Sequence, residues 1–156
     1  MKDAVGFLKS IEGSAGIFFH ADCDGSCSAA LVLALLKNRG LRPKVLAGEL
    51  DEEFFEAFAK QKVGSVIFLD LAVDQYPELL GPFRKRKVLV IDHHVIHNDL
   101  NKMGFIHINP RFKNPELYTS ASLVTFDICS KAGLKSRKWI AKLGAVGDRA
   151  IKGTEK

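Results

Sequence analysis

Gly16-Ile-Phe-Phe-His20-Ala-Asp22-Cys-Asp24-Gly25-Ser26-Cys-Ser-Ala-Ala-Leu-Val-Leu-Ala-Leu-Leu-Lys-Asn38 is an apolar run, an acidic turn and a second, longer apolar run. The first run, Gly16–His20, is short and aromatic-rich and lacks in–out alternation, the pattern of a strand buried on both faces. The second, Ser26–Asn38, is rich in Ala and Leu and long enough for a helix. A buried strand passing through a polar turn into a helix is the first half of a strand–helix–strand unit.

The same pattern recurs down the chain. Strands are expected over Lys44–Ala47, Ser65–Asp70, Val88–Asp92 and Phe105–Asn109. Helices are expected over Lys2–Ile11, Asp51–Lys62, Pro77–Phe83, Thr119–Ala132 and Arg137–Gly147. Acidic Asp51-Glu-Glu53 suits a first helical turn, and Gly40 and Gly64 fall where helices should stop. Asn98–Gly104 and Pro110–Tyr118 read as loops. Alternation of this kind predicts an α/β fold: a mainly parallel sheet of about five strands flanked by helices on both faces.

The 156 residues suit one domain, 1–156, and an apolar fraction of 47% is enough for a real core. No stretch reaches the roughly 18 apolar residues of a membrane span, so no membrane partner is expected. Asp3 and Gly6 break any signal-peptide pattern, and three cysteines without framework spacing point to reduced thiols in a cytoplasm. The net charge of +5, with Arg84–Lys87 and Lys135–Lys138 the densest basic spots, leans toward polyanionic partners.

In parallel sheets, ligands bind beyond the carboxyl ends of the strands. His20, Asp70, Asp92 and Asn109 all fall at such ends, which gathers candidate ligands from four places on one edge. Asp22 and Asp24 can point to one side of their turn, and the helix start beside them offers N–H groups to an anion. Taken singly, such aspartates also suit helix caps. Asp92-His93-His94 offers one imidazole to a metal, a carboxylate to orient a ring, and a second imidazole to a substrate. Adjacent histidines on a strand would face opposite ways, so a shared role requires the strand to have ended. Asp148 follows Gly144-Ala-Val-Gly147, and Arg149 beside it suits a phosphate. Oxygen-rich ligands with some imidazole favour manganese or magnesium over a structural zinc using Cys23 and Cys27. Their number suits two ions about 3.5–4 Å apart.

The order HxDxDG, lone Asp70, DHH and GxxGD, with His107-Ile-Asn-Pro110 and Ser120-Ala-Ser122 between the last two, resembles the DHH phosphoesterase superfamily, its archaeal RecJ-like members above all. The resemblance runs from about residue 15 to residue 150. It implies a two-manganese phosphoesterase, with magnesium as the alternative ion. On that resemblance, His20 and Asp22 bind the first ion, Asp24, His93 and Asp148 the second, and Asp70 bridges them. His94 contacts the scissile phosphate or protonates the leaving group, Asp92 orients, and Ser120 and Ser122 help hold phosphate. Family members usually carry a second, carboxy-terminal substrate-binding domain, for which this chain has no glycine-rich motif. On that resemblance, either a separate chain supplies that domain or this sequence is a fragment, and a replication-factor partner is the other partner expected. The basic balance favours single-stranded nucleic acid or short oligonucleotides as substrate. Cyclic dinucleotides, phosphoadenosine phosphate and pyrophosphate form the second reading, and a non-catalytic replication-associated scaffold the third.

Overall fold

Five parallel strands, β1 (Ala15–His20), β2 (Lys44–Gly48), β3 (Ser65–Leu69), β4 (Lys87–Ile91) and β5 (Ile106–Ile108), form one sheet in the order β2-β1-β3-β4-β5 in the computed structural model, which describes residues 1–150. The helices are α1 (Lys2–Lys9), α2 (Cys23–Asn38), α3 (Glu52–Ala59), α4 (Ala121–Ala132) and α5 (Lys138–Gly147). This is the α/β architecture that the alternation implied.

Strand register sorts the core into two layers. Ile17, Ile67 and Leu89 lie level with one another and pack toward α1, α2, α4 and α5. One residue on, Phe18, Phe68 and Val90 face the opposite way, against α3 and the turns after β3. On that side Phe18, Phe55, Phe58, Phe68 and Phe83 form an aromatic cluster with ring centroids 5.1–6.3 Å apart. Such pairs each add about 0.5–1.5 kcal/mol beyond area burial. All five residues of β3 are buried, which is why its sequence shows no alternation.

Several element boundaries differ from the sequence expectation. Pro77–Phe83 is a 3-10 segment: Pro77 suits the first position of a helix, but Pro82 inside it lacks the N–H that an α-helix would need there. Helix α2 begins at Cys23, not Ser26, because Asp22 caps it by accepting from Gly25 N at 2.8 Å. Asp24 and Gly25 thus lie in the first turn, and Gly25 packs so closely on the His20 carbonyl that a Cβ would collide with it. Short 3-10 turns occupy Leu100–Met103 and Pro110–Phe112 within the expected loops. Asp74 accepts from the backbone N–H groups of His97 and Asn98 and so ties the turn after β3 to the segment after β4.

The chain passes from β1 to β2 on one side and then to β3 on the other. A topological switch point therefore lies between β1 and β3, where a crevice opens beyond the strand ends. No helix among the described residues is long and apolar enough to cross a membrane.

Candidate metal centre

Each acid at the crevice is placed by the local backbone. Asp70 directly follows β3 with φ 58, a left-handed conformation that Asp tolerates better than most residues. The bend turns the chain out of the sheet while the carboxyl group stays 2% exposed. Its Oδ1 lies 3.2 Å from His93 Nε2, which sits just past the end of β4. Since β4 ends at Ile91, both His93 and His94 lie beyond the strand, and their rings approach to 4.5 Å instead of facing opposite ways.

Asp24 projects from the first turn of α2 to the start of α4. There it accepts from Ala121 N at 2.6 Å and Ser122 N at 3.0 Å, a position favoured by the helix dipole. Its Oδ2 is 4.0 Å from His93 Nε2, and Asp148 Oδ2 is 3.8 Å from His93 Nδ1. Gly144 of α5 permits this packing, because a Cβ there would meet Ser122 Oγ and come within 2.8 Å of Asp24 Oδ1.

Among the described residues, three ligand groups follow: His20, Asp22 and Asp70; Asp24, His93 and Asp148; and Asp70, His93 and His94. Asp70 belongs to two of them, and so does His93. Burial raises the Asp70 pKa to about 6, opposed by the His93 bond and assisted by Asp24 and Asp22. Burial opposes charge on His93, but Asp70, Asp92 and Asp148 more than offset it and raise the pKa to about 9. Burial also raises Asp24 above the usual carboxylate range. For His20 burial again opposes charge, and Asp22 and Glu49 overcome it.

Asp70 Oδ2, His93 Nδ1 and Asp148 Oδ2 are buried with no hydrogen-bond partner. An unmet buried polar atom costs about 1–3 kcal/mol. Three in one cluster, all lone-pair donors among convergent carboxylates, have the chemistry of a divalent-cation site.

Asp92, fully buried, accepts from His94 Nδ1 at 2.8 Å and from His94 N at 3.2 Å. Burial alone would raise its pKa, yet these bonds and the nearby histidines hold it low. The Asp92 bond raises the His94 pKa in turn. Asn109 fixes the same turn by donating to the His94 carbonyl at 2.9 Å.

Ser120 and Ser122 are fully buried. Ser120 Oγ lies 3.0 Å from Ser122 Oγ, which donates to Ala141 O, and Ser120 caps α4 through Leu123 N. Both hydroxyls are thus committed inside the protein beside Asp24, not presented to an open phosphate site. Arg149 is exposed at φ 57, next to Asp148.

Three residues at this centre escaped the sequence reading. Glu49 accepts from His20 Nε2 at 3.0 Å; as an acid at the end of β2 it obeyed the same strand-end rule as the others. Tyr118, 54% exposed, donates to the Asp148 carbonyl at 2.6 Å. Arg111 donates to the His93 carbonyl at 2.9 Å. No local pattern marks either of the last two. A cavity of about 220 Å³ beside the centre is lined by His20, Glu49, Asp70, Gln75 and His94, among others. A larger, apolar hollow of about 410 Å³ near β5 and α4 is lined by Asn109 but by none of His20, Asp22, Asp24, Asp70, His93, His94 and Asp148.

Residues 15–147 match the DHH family, N-terminal domain. Among solved structures, the chain resembles exonuclease RecJ bound to manganese, with TM-score 0.74 and 18% identity over 96% of this chain and 42% of that one. It resembles RecJ in complex with Mn²⁺ from Thermus thermophilus with TM-score 0.75 and 17% identity, over 94% of this chain and 23% of that one. CDC45 from Entamoeba histolytica matches with TM-score 0.63 and 17% identity, over 94% of this chain and 31% of that one. At these identities the likeness is one of fold, and the chain spans less than half the length of each. No curated protein matches by sequence.

Proposed function

The chain belongs to the DHH family, and from that premise we propose a two-metal phosphoesterase that hydrolyses phosphodiester bonds of single-stranded nucleic acid or short oligonucleotides. The observation that carries this reading is Asp70, a buried carboxylate shared by two ligand groups, with one oxygen on His93 and the other unpartnered. His20, Asp22 and Asp70 would hold one ion, and Asp70, Asp24, His93 and Asp148 the other. Manganese suits this mixed carboxylate and imidazole set, with magnesium as the alternative. When bound, such a pair supplies charge neutralisation at the phosphate and a water acidified toward neutral pH.

The remaining work falls to side chains of this chain. Asp92 occupies His94 Nδ1 and leaves Nε2 for the substrate. The raised His94 pKa keeps a proton available near neutrality, so that Nε2 can donate it to the leaving oxygen. Ser122 acts by holding Asp24 through its backbone N–H, Ser120 bonds to the Ser122 hydroxyl, and Arg149 stands ready for a phosphate oxygen.

The cavity of about 220 Å³ is smaller than the roughly 300–1,000 Å³ of most small-ligand pockets and far too small for an oligonucleotide. Most of the substrate therefore lies outside it, which fits a polymer with the +5 charge as a weak attractant. We assign residues 1–156 to the metal-holding domain and infer that a carboxy-terminal-type substrate-binding domain, or a replication-factor partner, supplies the rest. A reducing cytoplasm suits the three free cysteines. The likeness to CDC45 supports a second reading, a replication-associated scaffold that does no chemistry.

Labelled 5′-phosphorylated single strands, cyclic dinucleotides, phosphoadenosine phosphate and pyrophosphate, each with manganese, form the deciding panel. Release of nucleotides from the strands is expected. Faster turnover of the small substrates would replace the nucleic-acid reading, and no hydrolysis of any of them would favour the scaffold.

A further inference from the structure

Glu49 lies one residue beyond β2, whose Gly48 pairs with His20 at the end of β1. This places the Glu49 side chain over the His20 ring from the neighbouring strand. Its Oε2 sits 3.0 Å from His20 Nε2. On the other edge of the ring, His20 Nδ1 sits 3.0 Å from Asp22 Oδ2. The two nitrogens therefore have different surroundings. Nδ1 faces the carboxylate with which His20 and Asp70 form one ligand group. Nε2 faces Glu49, which belongs to no such group among the described residues.

We propose that Glu49 is a positioning residue that holds His20 in the tautomer with its proton on Nε2, so that the Nδ1 lone pair is offered to a divalent cation beside Asp22 and Asp70. The inference rests on the two-metal reading and extends it to a residue outside the ligand set. A neutral imidazole has one donor and one acceptor nitrogen. Without a cation both ring nitrogens face a carboxylate at 3.0 Å; a cation held by Asp22 and Asp70 would take the place of the proton on Nδ1, and Glu49, which can only accept, then keeps the remaining proton on Nε2. The negative charge also makes the ring a stronger donor to a cation, the general effect of a carboxylate behind a metal-bound histidine. Asp22 cannot do this work, because its Oδ1 caps α2 through Gly25 N and its Oδ2 already faces Nδ1.

Glu49 is 65% exposed, and its side chain bonds to His20 at the surface, so its removal leaves the core intact. This permits a clean test by manganese titration of wild type, Glu49→Ala and Glu49→Gln, using calorimetry and electron paramagnetic resonance. Glu49→Ala is expected to weaken one of two sites about 10–100-fold, the usual effect of losing such a partner, with the other site unchanged. Glu49→Gln should fall between, since its amide oxygen still accepts from Nε2 without the charge. The melting temperature in chelator should match wild type in both variants, which a merely structural role would not predict. A wild type holding two ions, matched by a Glu49→Ala variant with the same affinities, would overturn the inference alone. So would equal weakening of both sites, or a lowered melting temperature. A wild type that holds fewer than two ions would sink the two-metal reading, and this inference with it.

Discussion

Asp70 Oδ1 and His93 Nε2 lie 3.2 Å apart, each just beyond the end of one of two adjacent parallel strands, and the second Asp70 oxygen is buried without a partner. A lone carboxylate so placed serves a cation better than it serves the fold. Asp70→Asn keeps the size and tolerates the left-handed backbone while removing the buried charge. Manganese at about 100-fold its dissociation constant stabilises a binding-competent protein by about 2.7 kcal/mol. That gain should vanish in the variant, and hydrolysis should drop by about a thousand-fold or more. Melting curves with and without manganese check it, and a preserved manganese gain would remove Asp70 from the centre.

Proton release on metal binding follows from the same pair. With its pKa at about 9, His93 carries a proton at pH 7 in the metal-free protein and must lose it to become a ligand. Manganese affinity should therefore rise with pH and level off above about 9. Metal-free stability should move the other way. Both folded-state values are raised, so each group stabilises fully below its unfolded value and loses that contribution as pH rises. The windows are 3.8 to about 6 for Asp70 and 6.5 to about 9 for His93. Calorimetry at pH 7 in buffers of different ionisation enthalpy should reveal the released proton. A heat independent of buffer would refute the assignment of His93.

His94→Ala should separate turnover from metal occupancy. The ring is 44% exposed and its Nδ1 is held by Asp92, so its loss leaves the other ligands in place. Turnover should fall about 10²–10⁴-fold, the range of a lost general acid, with manganese stoichiometry unchanged. Because the acid must be protonated, wild-type activity should decline as pH rises past the His94 pKa, and this limb should be missing in the variant. Equal loss of metal in His94→Ala and Asp70→Asn would dissolve the distinction between the two roles.

Gly144→Ala tests how closely α5 must approach the centre. The added methyl would strike Ser122 Oγ and reach 2.8 Å from Asp24 Oδ1. Overpacking of this kind costs about 1–3 kcal/mol. The variant should unfold at lower urea concentration and lose affinity at one manganese site, the one that uses Asp24. Unchanged metal binding alongside the stability loss would show that Asp24 can shift without consequence.

Some of these residues were readable one at a time and others were not. Asp70, Asp92 and His93 stand at the ends of apolar runs, where the chain leaves a parallel sheet, so a rule about strand ends found them. Glu49 satisfies the same rule, but the expected strand stopped at Ala47, one residue short of the observed end. Tyr118 and Arg111 reach the centre from a stretch read as loop, where no periodicity says which way a side chain turns. Ser120 and Ser122 were expected to help hold phosphate only because their segment resembles that of the DHH family. Only packing shows that both are buried and bonded to each other and to α5. The expected Pro77–Phe83 α-helix failed for a local reason, the missing N–H of its interior Pro82, which the sequence already contained.

By itself, the sequence determined the class of fold and the edge of the sheet at which the candidate ligands gather. Both depend on short-range pattern: apolar runs that must be buried, and the glycines, prolines and acids that end them. Tertiary structure alone decided which acids meet. Asp24 and Ser122 are neighbours because α2 and α4 pack against one another, and Gly144 on α5 leaves room beside them. Asp70 belongs to two ligand groups because β3 lies between β1 and β4, an order set by burying both faces of the sheet at once. Such contacts depend on distances between elements far apart in the chain, and no spacing along the sequence records them.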